Sequence, residues 1–166
     1  YNRGRRLHWQ QLLHRDWLVL TQEGYTYKPN RLDHFFRSMC YNSPYGEHVT
    51  EMVREVASGY PIAGFFFDCM YTPPCVGVEC IREMKQLGYD WQDEEQLHDY
   101  NYMKMNRMAR QLADAAKAIN PELLIYCNGI DYEAQDDIGT YLEFECLPTG
   151  GWGYEALPMG ARYLRT

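Results

Sequence analysis

The stretch Ile62-Ala-Gly-Phe-Phe-Phe-Asp68 joins six uncharged residues to a single carboxylate, and Gly59-Tyr60-Pro61 separates it from the preceding segment. A run this short, apolar and aromatic is typical of a strand buried on both faces, as in parallel sheets covered by helices. In such sheets, ligands bind at the carboxyl ends of the strands. The position of Asp68 therefore predicts a functional carboxylate, with a plain turn cap as the alternative.

Strands and helices alternate on both sides of this stretch. Apolar or alternating runs predict five strands, at 16–21, 37–42, 62–68, 123–128 and 140–145. Caps and helical spacing predict four helices: 43–58, 76–87, 93–120 and 156–164. Repeated strand–helix units of this kind imply a parallel sheet with right-handed connections.

Two α/β architectures fit that order, an open doubly wound sheet and part of a (β/α)8 barrel. No G-x-G-x-x-G or P-loop follows any predicted strand, which argues against a nucleotide-binding sheet. A complete barrel needs about 250 residues, whereas this chain has 166. We therefore predict a partial (β/α)8 TIM barrel, with residues 1–166 forming a single fragment of a catalytic domain. The start at Tyr1 without methionine fits an excerpt of a longer protein.

Composition narrows the class of protein. Hydrophobic residues make up 46% and charged residues 23%, as in soluble globular proteins. The net charge of -7, with no basic cluster beyond Arg3-Gly-Arg5-Arg6, argues against a nucleic-acid partner. No apolar stretch is long enough to span a bilayer, so no membrane partner is expected.

The six cysteines pose a separate question. Cys40 and Cys127 lie in apolar, strand-like runs, where a thiol usually acts as a small hydrophobic side chain. Cys69, Cys75 and Cys80 are close enough along the chain to share a metal, but their spacings of six and five match no compact zinc motif. The sequence therefore favours free thiols in a reducing compartment such as the cytoplasm, with no bound metal and no cofactor.

Polar side chains end four successive predicted strands. These residues are Asn42, Asp68, Asn128 and the pair Glu143/Glu145. Turn capping would explain the two asparagines but not the glutamates, because glutamate is a weak turn former and is depleted in strands. We therefore expect a functional rim at one edge of the sheet.

Carboxylates and amides among abundant aromatic residues favour glycoside chemistry. One acid attacks the anomeric carbon or activates water, and a second protonates the leaving oxygen. Acyl transfer is disfavoured because the sequence has no G-x-S-x-G elbow. A carbohydrate is thus the expected partner, bound by substrate-contacting residues that we predict to be Asn42, Tyr126, Asn128, Trp152 and Tyr154. Trp152 would either stack on a sugar ring or close the barrel end.

Three sequence blocks carry a family resemblance. They are CYNSPYGEHVTEMVREVASGYPIAGFFFD (40–68), INPELLIYCNG (119–129) and YLEFECLPTGGWGY (141–154). From Asp16 onward the chain resembles the bacterial group named hypothetical glycosyl hydrolase 6, which is related in fold to α-L-fucosidase-like (β/α)8 barrels. The resemblance implies a barrel glycosidase that continues beyond both ends of this chain, so the remainder of the barrel would come from the longer parent chain.

The resemblance also implies roles for individual residues. In fucosidase-like enzymes the nucleophile is an aspartate ending the strand that matches GFFFD, which maps onto Asp68. The partner acid would be Glu145 or Glu143, and the enzyme a retaining glycoside hydrolase. The segment CMYTPPCVGVEC (69–80) resembles a loop that reads C-x-C-x-x-C in relatives, with Gly77 and Val78 here where the middle cysteine is expected. The alternative function is a carbohydrate-binding or scaffold barrel without turnover.

Overall fold

The computed structural model describes residues 14–24, 38–146 and 153–164. Within these ranges the chain forms one 3-10 turn, two strands and five α-helices. The turn is Arg15–Trp17, and the strands are β1 (Gly64–Phe67) and β2 (Leu124–Cys127). The helices are α1 (Pro44–Gly59), α2 (Val78–Leu87), α3 (Glu94–Ile119), α4 (Tyr132–Ile138) and α5 (Ala156–Tyr163).

The two strands pair in parallel, as the sequence predicts. Gly64 lies opposite Leu124, and Phe67 lies opposite Cys127. Helices α2 and α3 connect the strands, because a parallel pair needs a long crossover. The mixed helix–strand architecture with a parallel sheet is therefore confirmed, whereas closure into a barrel stays a prediction, since the described residues contain only this two-stranded sheet.

Three predicted strands are wrong as sheet elements. Residues 16–21 and 38–42 make a single antiparallel bridge, between Leu18 and Met39. The 3-10 turn Arg15–Trp17 occupies the first positions of the segment 16–21. Residues 140–145 form no ladder either, although Thr140 contacts the backbone of β2. The Thr140 hydroxyl accepts a hydrogen bond from the Ile125 N–H at 2.7 Å, a donor that a neighbouring strand would otherwise use.

The predicted helices follow their caps closely. The Ser43 side chain accepts a hydrogen bond from the Tyr45 N–H at the start of α1, and Asp93 accepts one from the Gln96 N–H at the start of α3. Gly88 ends α2 with a φ of 83°, a left-handed conformation that favours glycine. Helix α4 is an additional element, and Asp131 caps it in the same way.

Two buried clusters form the core, and α3 contributes to both. The first packs its carboxyl-terminal half against β2, around Leu112 and Ile125. The second gathers Tyr100 near the start of α3, Met84 of α2 and Val19. The apolar stripe of α3 is buried at 105, 108, 112 and 115, but Ile119 is exposed because it lies at the end of the helix. None of the described helices combines the length and apolarity that crossing a membrane requires.

Candidate active site

Asp68, Asn128 and Glu145 converge at the carboxyl ends of the two strands. The Asn128 Nδ2 group donates to Asp68 Oδ1 at 2.8 Å and to Glu145 Oε2 at 3.3 Å. Both carboxylates therefore contact the same nitrogen. The distance between their two hydrogen-bonded oxygens cannot exceed the sum of these two nitrogen–oxygen distances. The structure thus brings together three of the residues predicted from strand ends.

Backbone hydrogen bonds fix this arrangement. The Asn128 N–H donates to the Phe67 carbonyl at 2.8 Å, and the Asn128 carbonyl accepts from the Met70 N–H at 2.8 Å. The parallel ladder thereby extends past β1 on both sides of Asp68. Cys69 follows with a φ of 54°, a strained conformation for a residue other than glycine. Asn128 is consequently held next to Asp68 by the sheet itself.

Gly129 permits the close approach that the ladder needs. Its φ is 99°, and a Cβ atom at this position would lie 2.9 Å from the Tyr71 backbone nitrogen. No side chain fits there without moving the segment after Asp68. Glycine at 129 therefore supports the geometry of the acid site on two separate grounds.

Hydrogen bonding lowers the pKa of Asp68. The bond from Asn128 is the main cause, and bonds from the Cys69 side chain and backbone add to it, while desolvation opposes them. Desolvation and the neighbouring Asp68 carboxylate in turn raise the pKa of the exposed Cys69 thiol. Asp68 is therefore ionised at neutral pH, as a carboxylate nucleophile must be.

Tyr126 lies beneath the site with Glu143 beside it. The buried Tyr126 hydroxyl donates to the Glu143 backbone carbonyl at 2.9 Å, and desolvation raises the pKa of Tyr126 to about 12. Its ring contacts Phe66 at 5.1 Å and Tyr141 at 5.6 Å between centroids. The site thus contacts Glu143 through its backbone, whereas it contacts Glu145 through its carboxylate.

A cavity of about 460 Å³ opens beside these residues. It lies between the end of β2, helix α4 and the segment that carries Glu145, and Asn128, Tyr132 and Phe144 line it. This volume is within the range of small-molecule sites. Aromatic rings and an amide on its walls are suitable for a sugar, which offers both apolar faces and hydroxyls.

Asn42 belongs to a different cluster in this structure. Its amide nitrogen donates to Glu83 Oε2 and to the Tyr100 hydroxyl, both at 2.6 Å, and its oxygen accepts from Arg107 at 2.7 Å. Arg107 pairs with Glu83 and is the main cause that lowers the pKa of Glu83 to about 2. This network joins α2 to α3. A role of Asn42 in substrate binding stays a prediction.

Two predicted substrate-contacting residues remain, Trp152 and Tyr154. Trp152 falls outside the described residues, so its stacking role stays a prediction. Tyr154 precedes α5 and is 84% exposed, a position from which an aromatic ring can bind a ligand. Gln135, which was not among the predicted residues, is buried and accepts a hydrogen bond from the Cys127 N–H at 3.2 Å. The only local signal for it was the Asp131 cap that begins α4.

One of three comparisons with known proteins found a match. No family model matches this sequence, and the curated proteins contain no match either. Among solved structures, the chain is similar to α-L-fucosidase isoenzyme 2 from Paenibacillus thiaminolyticus, with a TM-score of 0.80 and 27% identity. The fold is fucosidase-like. The structural similarity covers 92% of this chain but only 24% of the Paenibacillus protein.

Replacing Asn128 by alanine is expected to raise the pKa of Asp68 towards its ordinary value. Asn128 supplies the hydrogen bond that contributes most to the lowered pKa, so its removal disfavours the ionised form. Carboxylate NMR titration of the two proteins measures the change. Asn106→Ala is the matched control, because Asn106 donates to Asp131 rather than to Asp68. An unchanged Asp68 pKa in the Asn128 variant would contradict the assignment.

Proposed function

We propose that this chain carries the nucleophile of a retaining glycoside hydrolase. The observation that supports this most is the shared contact of Asp68 and Glu145 with Asn128. Retaining enzymes hold their two carboxyl groups about 5–5.5 Å apart, whereas inverting enzymes need about 6.5–9.5 Å to admit a water molecule. Two oxygens bonded to one nitrogen favour the shorter separation.

The mechanism assigns a distinct role to each acid. Asp68 attacks the anomeric carbon and forms a glycosyl ester, while Glu145 donates a proton to the departing oxygen. Glu145 then removes a proton from a water molecule as that water attacks the ester. This attack releases the sugar with overall retention of its anomeric configuration and regenerates Asp68. The lowered pKa of Asp68 fits the nucleophile, because this role needs the ionised form. Glu143 is the less favoured proton donor, since its contact with the site is through its carbonyl oxygen.

The substrate we favour is an α-L-fucoside or a closely related glycoside. This choice rests on the similarity to the Paenibacillus fucosidase. The sugar would occupy the cavity that Asn128 and Tyr126 line, and Tyr154 and Trp152 are further residues that we predict to contact it. Asn42 and its network would hold the neighbouring helices in position. The remainder of a barrel, from a longer parent chain, would complete the enclosure.

A non-catalytic carbohydrate-binding module is the second candidate function. It is favoured by the exposure of Asp68 and Glu145, because catalytic electrostatics are strongest where water is excluded. Such a module would use the same cavity and the same amide, without forming a covalent intermediate.

Trapping with 2-deoxy-2-fluoroglycosyl fluorides distinguishes the two candidates. These reagents carry a good leaving group but slow the breakdown of the glycosyl ester, so a retaining enzyme accumulates the adduct. We expect mass spectrometry to find the α-L-fucosyl-type reagent on the peptide that contains Asp68. An adduct on a different acid would overturn the assignment of the nucleophile. Sugar binding without adduct or turnover would establish the binding module instead.

A further inference from the structure

We propose that Cys40, Cys75 and Cys80 form a zinc site distinct from the carboxylate site. All three cysteines are buried, and their Sγ atoms lie within 4.8 Å of one another. The Sγ atoms of Cys40 and Cys80 are 3.4 Å apart and not bonded as a disulfide. The sequence had grouped Cys69 with Cys75 and Cys80, but the exposed Cys69 lies beside Asp68 and Cys40 takes its place.

The sulfur positions fit tetrahedral zinc. A zinc–sulfur bond of about 2.3 Å places two ligand sulfurs of a tetrahedron about 3.8 Å apart. The observed triangle brackets this value, since one side is 3.4 Å and no side exceeds 4.8 Å. Cys75 and Cys80 are near one another along the chain, whereas Cys40 is distant from both and reaches them only through tertiary packing. Cys40 precedes α1, Cys75 lies in the loop after β1, and Cys80 lies in the first turn of α2.

The surroundings of the sulfurs are those of a thiolate site. The backbone N–H groups of Leu20 and Gly77 both point at Cys75 Sγ, with nitrogen–sulfur distances of 3.5 and 3.4 Å. Such donors orient metal ligands and stabilise their negative charge. A buried thiol in a purely apolar core would leave these two donors without a strong acceptor.

Lys104 provides an independent observation. It is 1% exposed, and its Nζ atom has no hydrogen-bond partner among the described residues. A buried ammonium group is costly unless a negative charge compensates it. Its charge acts on both Cys40 and Cys80. The Tyr100 ring lies 5.9 Å from Nζ but carries no charge, whereas the cysteine cluster can supply a compensating negative charge.

Charge balance selects zinc among the metals that thiolates bind. Soft thiolate ligands favour Zn²⁺ and Cu⁺. Three thiolates around Zn²⁺ carry one net negative charge, which the Lys104 ammonium neutralises. The same ligands around Cu⁺ would carry a second negative charge without a partner. Zinc is therefore the ion that the buried charges fit.

A cavity of about 440 Å³ lies beside the three sulfurs. The three cysteines line this cavity together with Asp16 and Glu79. A water molecule from the cavity would complete the tetrahedron without altering the charge balance. The zinc would tie the loop after Asp68 to α2 and to the segment before α1, and so stabilise the backbone next to the acid site.

Metal analysis of the purified protein tests this proposal. Protein prepared under reducing conditions with zinc in the medium is expected to hold about one zinc ion per chain, as a single tetrahedral site requires. Cys75→Ser should lose the metal, whereas Cys69→Ser, the matched control outside the cluster, should keep it. Removing zinc with a chelator should lower the melting temperature, and restoring zinc should recover it.

Cobalt substitution keeps the test decisive even if the Cys75 variant does not fold. Co²⁺ bound to the unaltered protein should give intense thiolate-to-cobalt charge-transfer bands and the visible spectrum of a tetrahedral site. Protein that binds neither Zn²⁺ nor Co²⁺ under reducing conditions would overturn the proposal. So would a Cys40–Cys80 disulfide in freshly isolated protein, or loss of metal in Cys69→Ser alone.

Discussion

Asp68→Asn is expected to lower the turnover of glycosides by roughly 10⁴-fold or more, the scale seen when an enzyme loses its covalent nucleophile. Asparagine keeps the size and shape of the side chain and still contacts Asn128 through its oxygen. Its neutral amide, however, cannot attack the anomeric carbon to form a glycosyl ester. Binding of the sugar should persist, because the cavity walls and Asn128 are unchanged. Steady-state kinetics on a panel of aryl glycosides, with calorimetry for binding, measures both quantities.

Two further variants make this result specific to Asp68. Asp136→Asn is the matched control, since Asp136 is likewise an exposed aspartate but lies on α4 rather than at the end of β1. Asp68→Gly should regain turnover when azide is added, because the small anion can enter the vacated space and attack the sugar. A variant Asp68→Asn that keeps most of its turnover would refute the proposed mechanism. A wild-type protein that binds sugar but shows no turnover would instead support the non-catalytic module.

The elements and contacts that the sequence predicts well are those with local signals. Ser43 with Pro44, Asp93 and Gly88 each determine a helix end through their own hydrogen bond or backbone preference. The apolar run before Asp68 identifies β1, and parallel pairing then brings Asp68 next to Asn128. That contact follows from the strand ends, because both residues come directly after strands of the same sheet.

The features that the sequence does not predict depend on partners far along the chain. Residues 140–145 alternate in polarity like a strand, but Thr140 bonds to Ile125 with both its N–H and its hydroxyl, and no ladder continues beyond it. Glu83 and Arg107 look like ordinary surface charges until α2 and α3 pack together. Cys40 looks like a core side chain because its sulfur neighbours are 35 and 40 residues away. Tertiary packing decides all three cases.

Gly129→Ala is expected to destabilise the protein by about 2–4 kcal/mol and to reduce any glycosidase activity with it. Two effects add at this position. A residue with a Cβ atom is strained at a φ of 99°, and that atom would also lie 2.9 Å from the Tyr71 nitrogen. Moving Tyr71 and Met70 away would break the Met70–Asn128 bond that fixes the site. Urea denaturation measures the loss of stability.

Gly88→Ala separates the two effects. Gly88 has a similar φ of 83°, but no atom lies within 4 Å of the position that its Cβ would take. This variant should therefore show the cost of backbone strain alone, about 1 kcal/mol, and leave the acid site intact. If the free energy of unfolding fell equally in both glycine variants, the tight contact between the segments after β1 and β2 would contribute nothing to stability. A larger loss at 129, together with a raised Asp68 pKa, would show that this contact holds Asn128 against Asp68.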